Sequence, residues 1–535
     1  MRLFFWAPLN VPPTIDNSIS GRPSSTAQIY LIGPAIGIGG SGGHNMTSKF
    51  PDSPSFTGYN APMRVECDIR DLEVVSGEVP RDLNGSFYRA THDPQFPPYL
   101  GDDIYVNGDG MISYFRFENG HVDFKSRYVR TDRFRAQEAA RRSLFGVYRN
   151  RYTNDPSVEG VDSGTANTTP IWHGRKLLAL KEDSHPWELD PHTLETKQKW
   201  DYDGDLKAVS MTAHPKLDYR TGELLFFAYQ AKGDATTDVV FYTADKDGHI
   251  THEVWFNAPY PGLVHDFAAT EEHIVFPFFP LITDLDVLKA GGPFYQWDGT
   301  KESVFAILPR KGTAADIKWF RGPATFAAHM MNAFTEGSKV AMDLCLSAKS
   351  SFPFFPNRDG TPFDRTGARS NLVRLTFDLD SNSEQYASEI VFPELCEMPR
   401  TDDRYQTRKH KHGYLIFHDS TRPTNAAGHG TTLQPRNSIG HLDFVTGRHN
   451  AFHAGDDTTV QEPIFVPRKP DSPEGDGYLV AVLDRVKEMR SDLVILDAMK
   501  PDEGPVALIK MPIRQRPAAH GNWVSADALE TGVYS

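Results

Sequence analysis

From about residue 60 onwards the chain is a succession of short apolar runs cut by turn residues, and this pattern confines it to large all-β architectures. In FYTADKDGHITHEVWF an Asp-Gly step separates two alternating segments. LLFFAY follows the turn-rich DYRTGE, and LVRLTFDLDSNS and GHLDFVTGRHNAFHA repeat the theme. Asp-Gly and Thr-Gly between alternating runs are hairpin signals, because glycine reaches positive φ without steric cost. Helical periodicity is confined to short stretches, best at residues 135–146 and 284–291. The 535 residues exceed what one ordinary core holds, and so many short strands favour a propeller over a sandwich. No fixed-period blade motif is legible, so pattern alone stops at a large all-β fold.

Composition narrows the function more than the fold. A net charge of −14 argues against a nucleic-acid partner, which selects a basic surface. Cys67, Cys345 and Cys396 are far apart in sequence, so neither a disulfide framework nor a thiolate metal site is expected, and a reducing cytoplasm fits. No apolar run reaches the length of a membrane-spanning helix. The opening MRLFFWAPLNV is broken by Pro8, Pro12 and Pro13, which argues against a signal peptide. IGPAIGIGGSGGHN reads as flexible tail, and Met46 in MTSKFPDSPSF looks like a natural start of the globular part. Residues 1–45 are expected to be disordered or an upstream extension.

Four of the twenty histidines sit among small or apolar neighbours on separate segments: His214 in SMTAHPKLD, His265 in GLVHDFAAT, His329 in FAAHMMNAF and His520 in AAHGNWV. Rings in such settings point inward, and a propeller axis is where such segments would converge. Imidazole suits Fe, Zn, Cu and Ni. Four neutral imidazoles would leave a metal its full charge and open positions for O2. The alternative is four buried histidines in unrelated hydrogen bonds. A ligating histidine normally donates its other N–H to a carboxylate or carbonyl. Glu182 in LALKEDS, Glu397 in LCEMPR and Glu462 in VQEPIFVPR are candidates, against the alternative of ordinary salt bridges.

SMTAHPKLDYRTGEL, VHDFAATEEHIVFP, HMMNAFTEG, QEPIFVPR followed by PEGDGYLVAVL, and HGNWV together resemble the carotenoid cleavage oxygenase superfamily, from about Phe56 to Trp523. The resemblance implies a seven-bladed β-propeller with helices and loops capping the active-site face. It implies one Fe(II) per chain on His214, His265, His329 and His520, supported by Glu182, Glu397 and Glu462. It assigns residues 56–535 to the catalytic propeller and leaves 1–55 as a disordered N-terminal extension. The block SLFGVYRNRYTNDPSVEGVDSGTANTTPIWHGRKLLALKEDSHPWELDPHTLET is similar to the branch that acts on phenolic alkenes, the lignostilbene and isoeugenol oxygenases. In it Tyr148 and Lys181 match the pair that grips the substrate's 4-hydroxyl, and Thr168 matches the threonine that crowds one iron position. On a strand, Lys181 and Glu182 would face opposite ways, one toward substrate and one toward a histidine.

The expected reaction is O2-dependent cleavage of the C=C next to a 4-hydroxyphenyl ring, giving aromatic aldehydes. Stilbenes such as resveratrol and propenyl or vinyl phenols all satisfy these motifs. Carotenoid or apocarotenoid cleavage at the same iron is the alternative. A hydrolase or a scaffold propeller fits less well, the first wanting a carboxylate ligand and the second having no use for four inward histidines. Phenylalanine-rich turns at residues 275–280 and 351–356 could line an aromatic slot or simply pack in the core. The turn Asn107-Gly108-Asp109-Gly110 is expected near the same face. Val106 stands where some stilbene cleavers carry an aromatic residue.

Overall fold

The computed structural model describes residues 27–31, 49–426 and 435–532. The run ELLFFAY forms the strand Glu223–Tyr229, and its burial explains why it is apolar throughout instead of alternating. Leu224, Phe226 and Ala228 pack with Leu178 and Leu180 of the preceding sheet. Leu225, Phe227 and Tyr229 pack with Phe276 and Leu308 of the following one. Successive side chains point to opposite faces, so a sheet wedged between two others needs apolar residues at every position. The same logic recurs around the molecule: among the described residues, seven sheets of four to six strands form the blades of a β-propeller, beside a two-stranded ribbon of Leu281–Ile282 with Gln296–Trp297.

Each blade begins with a strand near the axis. These are Ala518–Ser525 in blade one, Thr169–His173 in two, Lys216–Asp218 in three and Ala268–Ala269 in four. They continue with Phe326–Glu336 in five, Cys396–Thr401 in six, and Thr458–Val460 with Ile464–Pro467 in seven. First strands of adjacent blades lie against one another at the junctions four–five, five–six, six–seven, seven–one and one–two. The ring is clasped from both ends of the chain. Glu73–Gly77 pairs with Pro505–Lys510 as the outer strand of blade seven, and Ala518–Ser525 pairs with Gly85–His92 as the inner strand of blade one.

The expected hairpins are present. Asp238–Ala244 pairs with Ile250–Asn257 across a turn with Gly248 at φ 91°, and Ser438–Asp443 pairs with Arg448–His453 across a turn with Gly447 at φ 70°. The helix expected at residues 135–146 runs instead over Asp132–Ala140. Thr131 caps its start by accepting the Phe134 N–H, and Arg141 at φ 55° ends it. Leu285–Lys289 falls inside the second expected helix, while the helix Ala526–Thr531 was not anticipated. Within the stretch read as disordered, Ala27–Leu31 is a strand paired antiparallel with Val65–Ile69, so that reading does not hold for these five residues; the rest of 1–48 lies outside the described residues.

Phe227 touches Phe267 edge-on at 5.0 Å and Phe276 at 5.5 Å in the wedge between blades three and four. Phe227→Ala is expected to cost about 3–5 kcal/mol of stability, measured as a shift of the denaturation midpoint. A shift under about 1 kcal/mol would show that the blades can close the cavity.

Candidate metal centre

Four histidine side chains meet on the propeller axis. His214 lies just before the first strand of blade three and His265 just before that of blade four, while His329 and His520 sit within the first strands of blades five and one. One ring nitrogen of each falls within 4.8 Å of all the others. His265 Nδ1 is 3.0 Å from Glu182, His329 Nδ1 is 2.6 Å from Glu397, and His520 Nδ1 is 2.9 Å from Glu462. The glutamates come from the three remaining blades: Glu182 follows a strand of blade two, Glu397 opens blade six, and Glu462 lies between Thr458–Val460 and Ile464–Pro467, which both pair with Gly477–Arg485 in blade seven.

The electrostatics set the tautomers. Burial alone would raise the Glu182 carboxyl, but His265, then Lys181 and Arg149, outweigh it and hold it down at about 2. Glu462 is likewise held at about 2 against burial by His520 and Arg400. Burial also opposes ionisation of Glu397, and His329 with the Met398 N–H overrides it. Three ionised carboxylates therefore accept from three Nδ1–H groups and turn the Nε2 lone pairs inward. Burial, with the neighbouring rings, lowers His214 well below its usual value, and burial also lowers His520 despite Glu462, whereas at His329 burial is outweighed by Glu397, which raises it. Neutral imidazole is the form that binds metal.

The donor set fits a metal ion. His329 Nε2 is buried without a hydrogen-bond partner among the described residues, although buried polar atoms are nearly always satisfied. His214 Nε2 and His265 Nε2 stand 3.1 Å apart, a spacing at which two lone pairs repel unless a cation or proton lies between them. A brace beneath the cluster was not legible in the sequence. Asp266 accepts from Lys216 Nζ at 2.7 Å and from the Met330 N–H at 2.8 Å, tying together the segments that carry His214, His265 and His329. Its signal was a charged residue one position after an inward histidine.

A cavity of about 140 Å³ opens on the cluster. Tyr148, Lys181, Thr168 and Val106 line it, together with His265, His329 and His520. Lys181 Nζ lies 3.3 Å from the Tyr148 hydroxyl. Burial raises the Tyr148 phenol well above its usual value, so it stays a neutral donor. The Thr168 hydroxyl donates to Asn167, leaving its methyl as the group it can offer the cavity, and the Thr168 carbonyl accepts the His520 N–H. Asn167 in turn donates to the carbonyls of Val106 and Gly108, which places the Asn107–Gly110 turn against this wall as expected.

Lys181 reaches Tyr148 and Glu182 reaches His265, but both residues line the cavity and both lie in the turn after Lys176–Leu180, not on opposite faces of a strand. The two phenylalanine-rich turns separate. Phe352, Phe354 and Phe355 line the cavity, whereas Phe276, Phe278 and Phe279 belong to the inter-blade core. Behind Tyr148, Arg149 donates to the hydroxyls of Tyr229 and Tyr295, which lie 2.8 Å from each other. Sequence reading missed this trio, whose one hint was a charged residue beside Tyr148.

Fold and site together define a seven-bladed propeller with four histidines gathered on its axis and carboxylates behind three of them. The chain belongs to the family described as retinal pigment epithelial membrane protein, which matches residues 60–525 and is the carotenoid-oxygenase family that the motifs predict. It is 45% identical over 473 residues to isoeugenol monooxygenase of Pseudomonas nitroreducens, covering 88% of this chain and 98% of that one. It is 43% identical over 486 residues to lignostilbene-alpha,beta-dioxygenase isozyme III of Sphingomonas paucimobilis, covering 90% and 99%. The crystal structure of Pseudomonas brassicacearum lignostilbene dioxygenase superposes with a TM-score of 0.87 at 45% identity, covering 90% of this chain and all of that one.

Each of Glu182→Gln, Glu397→Gln and Glu462→Gln is expected to weaken metal binding 10–100-fold, read by competition with a chelator of known affinity. Wild-type affinity in all three would make these carboxylates ordinary ion-pair partners.

Proposed function

We propose that this chain is a non-haem iron oxygenase that uses O2 to cleave the C=C bond next to a 4-hydroxyphenyl ring, releasing an aromatic aldehyde. One Fe(II) per chain would be held by His214, His265, His329 and His520, and would supply the site at which O2 is activated. Glu182, Glu397 and Glu462 would fix the tautomers of three of those ligands. Similarity to enzymes named for isoeugenol and for lignostilbene, both phenols bearing a ring-conjugated alkene, supports this substrate class.

The observation that carries the reading is Lys181. Its side chain is buried, 4% exposed, in a wall of the cavity that reaches the histidines. It has three N–H donors, and its hydrogen bond to Tyr148 is long at 3.3 Å. Donors in such a place suit a phenol oxygen. Lys181 and Tyr148 would orient the ring and favour its phenolate, which pushes electron density through the ring into the alkene and makes it the better partner for an oxidant. Fixing the alkene in this way is worth up to about 7–11 kcal/mol in the best cases. Phe352 and Phe355 exclude water from the ring's surroundings, and the Thr168 methyl narrows the space beside the histidines.

We place the catalytic domain at residues 56–535, preceded by an extension. Both clasping strands, Glu73–Gly77 and Ala518–Ser525, lie after Met46, so a chain beginning at Met46 is expected to fold and turn over as the full chain does. Loss of active protein on that truncation would show that the pairing of Ala27–Leu31 with Val65–Ile69 is needed to hold the propeller together. No helix among the described residues is long and apolar enough to cross a membrane. The three cysteines are free, which supports a reducing, cytoplasmic setting.

Lys181→Met and Tyr148→Phe are each expected to lower kcat/KM by about 1.5–3 kcal/mol, the worth of a charge-assisted hydrogen bond. Methylating the substrate phenol should do the same in the wild type and add little in Lys181→Met. Equal turnover of phenol and methyl ether by the wild type would defeat the phenol grip and favour the apocarotenoid reading.

A further inference from the structure

Beyond the histidines lies a second cavity of about 110 Å³ that shares His329, Phe352, Met398 and Ile416 with the first. Its character is different. Arg365, Arg369 and Arg436 line it, and Glu397 is the acidic residue in the same wall. That carboxylate is already engaged by His329 and by the Met398 N–H. Arg365 and Arg369 are exposed at the outer side, and Arg436 is buried further in. Among the described residues, no carboxylate lies at ion-pair distance from Arg365 or Arg369.

The loop of residues 348–370, between the second and third strands of blade five, builds both cavities. Its Phe352, Phe354 and Phe355 face the first, and its Arg365 and Arg369 face the second. The loop is tied across its base: the Lys349 N–H donates to the Gly367 carbonyl at 2.9 Å, and Lys349 pairs with Asp364 at 3.1 Å. The arginines are therefore carried on a pinned segment.

We propose that this second cavity is a subsite for a carboxylate on the far end of the substrate, so that the enzyme selects alkenes with a 4-hydroxyphenyl ring at one end and an acidic second ring at the other. The inference rests on the phenolic-alkene reading for the near end only. Guanidinium groups match carboxylates in shape and donate in pairs. Burial lowers the proton affinity of Arg436 and Glu397 raises it, so Arg436 is partnered from within the wall, whereas Arg365 and Arg369 bring two further guanidinium forks to the same cavity with no carboxylate at ion-pair distance among the described residues. The chain as a whole carries −14, so it repels anions at a distance, and a local cationic wall is what would let an acidic substrate approach. A neutral propenyl phenol would leave this cavity unused.

The test compares 4-hydroxystilbene with its 4′-carboxylate on the iron-loaded full chain. Anaerobic titration gives affinities without turnover, and admitting O2 then gives kcat/KM. The acid is expected to bind about 10-fold tighter or more than the neutral compound, a preference that salt weakens. Arg365→Gln with Arg369→Gln should abolish the preference, and Arg369→Glu should invert it. Both positions are exposed, so the fold tolerates the changes. Equal affinity for the two compounds in the wild type, or an affinity ratio unchanged in the double variant, would overturn the subsite. Failure to cleave either compound on admitting O2 would instead count against the phenolic-alkene reading, while the affinity ratio still decides the subsite.

Discussion

Imidazole lone pairs stay pointed at one spot when the rings are held from behind, and three of the four rings here are. That constraint organises the molecule. The Nδ1–H to carboxylate bonds at His265, His329 and His520 supply the hold, and the carboxylates must themselves be buried and ionised to do so. Isolated buried carboxylates are costly. Here each is compensated locally: Glu462 accepts the Gly521 N–H and faces Arg400, Glu397 accepts the Met398 N–H, and Glu182 lies near Lys181 and Arg149. A seven-bladed ring gives this arrangement a natural division of labour, since blades one, three, four and five each bring a histidine and blades two, six and seven each bring a glutamate.

Closure of the ring and completion of the site are the same event. His520 stands on Ala518–Ser525, the strand that clasps blade one, and its partner Glu462 lies in blade seven across the seam. Ala518–Ser525 and its partner Gly85–His92 are separated by most of the chain, so their pairing carries a large loop-closure cost. Asp266 plays the corresponding part within blades three to five, where its two bonds fix the spacing of three histidine segments that are closer in sequence.

The sequence made the histidines legible because small or apolar neighbours betray an inward ring, and it made the strands legible because Gly turns punctuate them. Blade count was not legible. A blade wedged between two others reads as unbroken apolar, as in ELLFFAY, and the loops between strands vary so much in length that no period survives. The glutamates were ambiguous in isolation, since a buried pair and a surface pair look alike until the partner is known; family motifs resolved what local pattern could not. Which phenylalanines reach the cavity was decided by the fold: VFPFFP falls largely in a central strand, SFPFFP in a capping loop. The Arg149–Tyr229–Tyr295 group escaped notice because its members are far apart in sequence and none has a distinctive setting.

The charge pattern around Lys181 bears on what the site is built to hold. Two positive groups, Lys181 and Arg149, and two negative ones, Glu182 and Asp183, are buried in two short segments. Glu182 is committed to His265, which it keeps in the required tautomer. Asp183 lies 3.7 Å from Arg149, and burial raises its carboxyl, ahead of the lowering by Lys181 and Arg149. Lys181 is left with a phenol at 3.3 Å and, among the described residues, no carboxylate at ion-pair distance. In a largely apolar cavity an unmatched cation interacts with any anionic oxygen far more strongly than it would in water. A direct partner for Lys181 can come from the ligand: a phenol that ionises on binding would be one, whereas the neutral end of a polyene would not. Under the proposed reaction, Lys181 would thus favour a substrate that can ionise beside it, and that same ionisation would enrich the alkene for attack.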